Sequence, residues 1–296
     1  MGTSGKYGGG GGKGIVPTWV DDPSAPVGSS PASDGSTADG GDGAGDAAGD
    51  TAPSGPGAPS QPASTPGTTP STGGSLRGAR TLFNKFAQGG GGSQFGRAAG
   101  RYVRSGMGGS TRASRALGSS RQAGGGLLTF ARDFATAGPV EALRPFNLEA
   151  YAQSPVEEVF PQILEALCPP GGTIDEAIAR QAMLDAIAQL CENFDGPIGT
   201  LSPDNLRDLF LDFVASSIEG RILNDIGAKL VDLPESISAL EGLSQDIHDF
   251  IDNCVHNSLG TSLQNVASIP RADVQAIVDS IYRATFDYIE TFADES

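Results

Sequence analysis

SPVEEVFPQILEALCPPGGTIDE, residues 154–176, sets the fold class. Ser154-Pro155-Val156-Glu157 reads as a capping box with proline at the first helical position. Val156, Val159, Phe160, Ile163, Leu164 and Leu167 then recur at offsets of three and four, the spacing of one helix face. Pro169-Pro170-Gly171-Gly172 ends that helix, and Thr173-Ile174-Asp175-Glu176 is a second capping box. The next helix carries Ile178, Leu184, Ile187 and Cys191 on one stripe and closes at Gly196-Pro197. A third opens at Ser202-Pro203, with Leu206, Leu209, Phe210, Phe213, Val214 and Ile218 inward, and runs on through Ile222 and Ile226. Asp232-Leu233-Pro234-Glu235 opens a fourth, with Ile237, Leu240, Ile247, Phe250, Ile251 and Cys254 inward. Pro270 begins the last, carrying Val274, Ile277, Val278, Ile281, Phe286, Ile289 and Phe292. Nothing alternates with period two, and no fixed repeat suggests a solenoid. The fold class expected is mainly α, with residues 139–296 as an acidic α-helical bundle.

Working back toward the N-terminus, the pattern thins. The 296 residues hold 43 Gly and 20 Pro, and 34 of the glycines precede residue 131. The aliphatic residues run the other way, which places the expected core in the C-terminal half. Residues 24–74 are Gly, Pro, Ser, Thr, Ala and Asp with almost no large apolar side chain. Such a stretch buries too little surface to offset its ordering entropy and reads as a disordered linker. A flexible chain of that length spans roughly 40 Å. Before it, residues 1–23 form a glycine-rich leader with an apolar island, Ile15-Val16-Pro17-Thr18-Trp19-Val20, holding the single tryptophan. The expectation is therefore a disordered Gly/Pro/Asp-rich N-terminal region followed by the helical bundle.

Charge divides the chain again. Residues 1–74 set two lysines against seven aspartates. Residues 75–132 hold nine arginines and one lysine with no acid. Residues 133–296 set seven basic residues against 28 acidic ones. The blocks carry −5, +10 and −21, within an overall −16. Residues 75–138 read as a basic Gly/Arg-rich helical segment. Leu76–Ala87 suits a short helix, broken at Gly89-Gly90-Gly91-Gly92. Arg97, Arg101 and Arg104 follow at helical spacing, until Gly106, Gly108 and Gly109. A second basic helix with Arg112 and Arg115 starts at Ser110 or Thr111. An interruption is expected at Gly124-Gly125-Gly126, with the helix resuming to Gly138-Pro139.

Catalysis needs convergent groups, and the polar inventory is thin. His248 and His256 lie near Asp252 and Cys254, but no Cys-x-x-Cys or His-Glu-x-x-His motif supplies a zinc set. Two surface histidines beside a buried thiol is the plainer reading. Gly8–Gly12 with Lys13 is no P-loop, since the Gly-Lys-Ser/Thr ending is missing. The Asp34–Asp50 run lacks the EF-hand register. No cofactor, metal or catalytic residue is expected. Three cysteines at unrelated spacings make no disulfide framework, and no secretion signal or membrane span is evident, so a reduced cytoplasmic setting is expected. The basic segment invites two readings. Ten positive charges without an acid can bind nucleic-acid phosphates. They can equally dock on acidic protein, including the chain's own −21 half. The candidate docking residues are Arg97, Arg101, Tyr102, Arg104, Arg112 and Arg115. The leader has its own logic. Once Met1 is removed, Gly2 presents an unhindered α-amine with a pKa of roughly 8, a usable nucleophile near neutral pH. Trp19 and its apolar neighbours then serve as an anchor.

The opening Met1-Gly2-Thr3-Ser4, the island Val16-Pro17-Thr18-Trp19-Val20 before Asp22-Pro23, and Gly100-Arg101-Tyr102-Val103-Arg104-Ser105-Gly106-Met107-Gly108-Gly109 resemble the QatB family. That family supplies a subunit of the bacterial Qat anti-phage defence system. Arg115-Ala116-Leu117-Gly118 continues the similarity but departs from it at Ala116 and Leu117. The resemblance implies a non-enzymatic component beside three others: an ATPase (QatA), a protein like the QueC enzyme of deazaguanine synthesis (QatC) and a TatD-like metal nuclease (QatD). QueC-type enzymes use ATP to activate the carboxylate of 7-carboxy-7-deazaguanine, and an activated carboxylate needs an amine. Joined to the leader's chemistry, this implies a scaffold and protein substrate of QatC, with Gly2 as modification acceptor and Thr3, Ser4, Val16, Pro17 and Trp19 as the partner-binding leader. The alternative is a nucleic-acid-binding adaptor for the nuclease, working through residues 97–115. No membrane partner is implied.

Overall fold

Helix α8, Pro203–Gly227, is buried on nearly every side, through Leu206, Leu209, Phe210, Phe213, Val214, Ile218, Ile222 and Ile226. A helix apolar around much of its circumference belongs at the centre of a bundle. A computed structural model of the chain describes residues 75–89, 91–227, 236–259, 263 and 265–294. The chain divides into two units, residues 1–63 and 64–296, and every described residue belongs to the second. The leader and linker readings lie outside the described residues.

The helices in chain order are α1 (Arg77–Ala87), α2 (Gly92–Arg101), α3 (Ser110–Arg115), α4 (Gly118–Ala137), α5 (Pro139–Leu143), α6 (Val156–Leu167), α7 (Ile174–Asn193), α8, α9 (Ile237–Ser258) and α10 (Val274–Thr291). A wide π-type turn, Tyr102–Met107, joins α2 to α3, and a short turn, Phe292–Asp294, follows α10. Among the described residues there is no strand, only an isolated bridge between Pro155 and Pro197. Helices α4, α7 and α9 pack around α8, α10 packs on α4 and α9, and α1 and α2 form a hairpin. The mainly α fold class read from the sequence is the one present among the described residues, with a helical bundle in the C-terminal region.

Four readings need correction. First, the core reaches well into the glycine-rich half. Phe83, Phe95, Tyr102, Leu117, Leu127 and Leu128 join the same hydrophobic cluster as α8 and α10. Phe95 packs edge-on against Phe83 at 5.7 Å and against Phe250 of α9 at 5.2 Å. Glycine content disguised this, because few but large side chains carry the burial.

Second, α4 runs unbroken through Gly124-Gly125-Gly126. These glycines are where neighbours press in. A Cβ at Gly124 would lie 3.3 Å from Phe213 and 3.4 Å from Val278. One at Gly126 would meet Leu167 at 2.5 Å. The helix tolerates the low propensity because small residues let α6, α8 and α10 approach.

Third, Ser154 caps nothing with its side chain. The backbone does the work instead: Val156 N donates to Gly196 O (3.3 Å), and Ile198 N donates to Ser154 O (2.9 Å). The second box does form, with Glu176 N donating to Thr173 Oγ1 and Thr173 N donating to Glu176 Oε2.

Fourth, three apolar residues face out. Leu184 is 43% exposed, because six residues beyond Ile178 is about 240° around the helix. Ile237 and Leu240 are 75% and 37% exposed.

Candidate docking site

The basic segment is built around the wide turn. Gly108, with φ +78°, ends it, and Gly109 N reaches back to Val103 O at 2.9 Å. Just before the turn, Gly100 lies against the chain end. A Cβ there would stand 2.4 Å from Ala293 N and 2.8 Å from Ala293 Cα. Only glycine lets α2 and the Phe292–Asp294 turn come this close.

Acidic residues from the far half hold the segment down. Arg104 pairs with Glu290 (3.5 Å) and Asp294. The bond to Asp294 raises the Arg104 pKa, and Arg104 in turn holds the Asp294 carboxyl below its ordinary range. The other oxygen of Glu290 accepts from Ser110 N at 3.2 Å, capping α3 from across the fold. Asp175 accepts from Ser119 N at 2.7 Å near the start of α4. Asp225 accepts from the Tyr102 hydroxyl at 2.8 Å and from Arg221 Nε at 3.1 Å, and its carbonyl accepts from Arg80 at 3.1 Å. Burial pushes the Tyr102 pKa far up, and the Asp225 charge adds to the effect. Thus part of the +10 block is neutralised within the molecule.

The candidate residues separate accordingly. Tyr102 is fully buried, so its side chain is a core anchor and offers no outer surface. Arg104 is exposed but paired. Arg101 is exposed, its side chain lying along Gly78. Arg97 is half-buried, with its Nε covered and no hydrogen-bond partner among the described residues. Arg112 and Arg115 are exposed on α3. Among the described residues, Arg97, Arg101, Arg112 and Arg115 enter no ion pair, and neither do Arg77 and Lys85. Arg121 and Arg132 are paired with Asp279 and Asp133. Gly2, Thr3, Ser4, Val16, Pro17 and Trp19 lie outside the described residues.

The anchors Asp175, Asp225, Glu290 and Asp294 were not foreseen. They stand 56 to 190 residues from their partners, beyond any spacing rule. The only signal was the opposite sign of the two blocks.

The histidines take separate partners. His248 Nδ1 meets Glu219 Oε2 at 3.0 Å, and His256 meets Asp252 at 3.2 Å. The Glu219 hydrogen bond raises the His248 pKa. Burial, with Asp252 and Asp208 nearby, lifts Asp212 to about 6. Burial likewise pushes the Cys254 thiol up to about 12, away from nucleophilic chemistry. Among the described residues no group of three or more His, Cys, Asp or Glu is placed to hold a metal ion. No described helix is long and apolar enough to cross a membrane.

The family model described as Qat anti-phage system associated protein QatB matches residues 108–289, more than half of the chain. The chain belongs to the QatB family. It is thereby a component of the Qat anti-phage system. No curated protein and no solved structure matches it. The QatB match begins at the glycine that ends the wide turn and takes in α3 to α9 and nearly all of α10.

Proposed function

We propose that this QatB chain is a non-catalytic scaffold and protein substrate within the Qat system, and that its QueC-like partner, QatC, acts on the leader. After loss of Met1, the Gly2 α-amine attacks the acyl carbon of adenylated 7-carboxy-7-deazaguanine. The new C–N bond is an amide, the acyl–phosphate bond breaks, AMP leaves, and the amine's proton passes to solvent. Thr3, Ser4 and the Val16-Pro17-Thr18-Trp19 island are the stretch the partner reads. The helical unit is the scaffold that QatC, the QatA ATPase and the QatD TatD-like nuclease share, in the cytoplasm. The observation that supports the reading is membership of the QatB family, whose members are associated with the Qat anti-phage system. The glycine-rich leader supplies the amine that an activated carboxylate requires.

The test is defence itself. Cells carrying the full gene set with Gly2→Pro, whose terminus is a hindered secondary amine, are expected to plate phage as efficiently as cells lacking the system. Full protection by that variant would remove Gly2 from the mechanism.

One observation favours a second reading, a nucleic-acid-binding adaptor for the nuclease. Exposed Arg101, Arg112 and Arg115, with half-buried Arg97, form no ion pair with a described residue. If they meet phosphates, changing all four to glutamine lowers DNA affinity at least tenfold and flattens its salt dependence, by about 0.9 in the log–log slope per lost contact. Arg104 is left in place in this variant because it holds Glu290 and Asp294. Unchanged affinity and slope in a filter-binding titration would dismiss the adaptor reading.

A further inference from the structure

The apolar seam of α9 does not stop where the bundle does. Ile247, Ile251, Cys254 and Val255 seat the C-terminal half of the helix in the core. One ridge continues upward from Leu243, half-buried against the core, to Leu240 and Ile237, which are 37% and 75% exposed. From Ser236 to Asp246 only Leu243 is even half-buried. About three helical turns, roughly 15 Å, therefore stand proud with their apolar ridge still in register.

Beside the ridge lies a trough of about 570 Å³, running between α9 and the α1–α2 connection. Phe86, Ala87 and Leu243 give it an apolar lining, and Gly89, Gly91, Ala239 and Gly242 give it a low rim. Gly242 sits inside a helix, where glycine is less favourable than alanine. A Cβ there would meet nothing within 4 Å, so the chain's own packing does not call for it.

We propose that this ridge and trough form a docking site for a basic amphipathic helix of a partner protein. Shape argues for a helix. A ridge at i, i+3 and i+6 beside a shallow groove accepts the ridge of a second helix, and small residues let the axes close to about 8 Å. No strand edge is offered among the described residues, so strand addition has no template here. Charge argues for the sign of the partner. Helix α9 carries Glu241, Asp246, Asp249 and Asp252 and no lysine or arginine. Glu241 and Asp246 flank the exposed turns, and neither enters an ion pair with a described residue. A second copy of the chain would bring the same acids and a further −16 charge, so self-pairing sets like against like. A helix with leucine-type residues along one stripe and lysine or arginine on both flanks satisfies ridge, trough and rim together. This inference does not depend on the fate of Gly2.

The test uses the full-length protein and a fluorescent synthetic helix with leucines at i, i+3 and i+7 flanked by lysines, alongside a counterpart with glutamates in place of the lysines. Leu240→Gln and Gly242→Gln alter ridge and trough without changing charge. Both sites are exposed, so the melting temperature is expected to hold. The wild type is expected to bind the lysine peptide, with each variant and the glutamate peptide at least about tenfold weaker. Equal binding by the variants would reduce the effect to general acidity and overturn the site. Preference for the glutamate peptide would overturn the partner's sign. A wild-type dimer in sedimentation, abolished by Leu240→Gln, would overturn the choice of occupant in favour of a second copy.

Discussion

Tyr102→Ala is expected to destabilise the helical unit by about 3–5 kcal/mol, the cost of removing a fully buried aromatic ring. For a body of this size that is a fall of roughly 10 °C in melting temperature. The ring is only part of the loss. The hydroxyl holds Asp225, which also receives Arg221, and Arg221 in turn donates to Ala116 O at 3.2 Å. One side chain therefore ties the wide turn, the α3–α4 junction and the end of α8 together. Tyr102→Phe separates the two contributions. It keeps the ring and leaves Asp225 with Arg221, so a smaller cost of about 1–3 kcal/mol is expected. Thermal unfolding of the three proteins checks this. Equal stability of wild type and Tyr102→Ala would mean that the basic segment is not part of the folded core.

Gly100→Val is the second large effect. The obstacle is backbone, at Ala293 N and Ala293 Cα, and a main chain cannot rotate away as a side chain can. The Phe292–Asp294 turn has to leave its place on α2. That removes Asp294 from Arg104 and separates Phe292 from Phe250, whose rings stand 5.0 Å apart. Overpacking of this kind costs about 1–3 kcal/mol, or roughly 5–10 °C at its upper end. Hydrogen exchange is expected to locate the loss at both ends of the contact, in residues 96–104 and 286–294. Exchange confined to α2 would mean that the C-terminal turn is not held there.

The contrast between these two residues shows what the sequence exposes and what it conceals. The helices of the C-terminal half were legible because their apolar residues recur with a helical period and Pro-Gly pairs separate them. Thr173 and Glu176 announced a cap by spacing alone. Tyr102 and Gly100 could not be placed that way. Tyr102 sits among arginines and glycines, and its partner lies 123 residues on. Gly100 resembles any other glycine until Ala293 is laid against it. The same limit explains Gly124-Gly125-Gly126: a glycine run breaks a helix that stands alone, but admits neighbours to one inside a bundle. Ile237 and Leu240 show the reverse error, since a continuous stripe does not tell where the body covering it ends.

Of the candidate site, the cations were legible and their acids were not. Block charges of +10 and −21 announced that some pairing would occur. They did not say that Arg104 would be taken up by Glu290 and Asp294, or that Arg101, Arg112 and Arg115 would be left outward without ion pairs.

Acylation of Gly2, as proposed, leaves a change in mass. Its most direct test is intact and N-terminal-peptide mass spectrometry of this protein made together with its neighbouring genes, compared with the same cells carrying an inactivated QueC-like partner. A Met1-free chain with a deazaguanine acyl group on Gly2 is expected when the partner is active, and a bare Gly2 when it is not. A terminus that is unmodified in both cells, or modified equally in both, would contradict the proposed acylation.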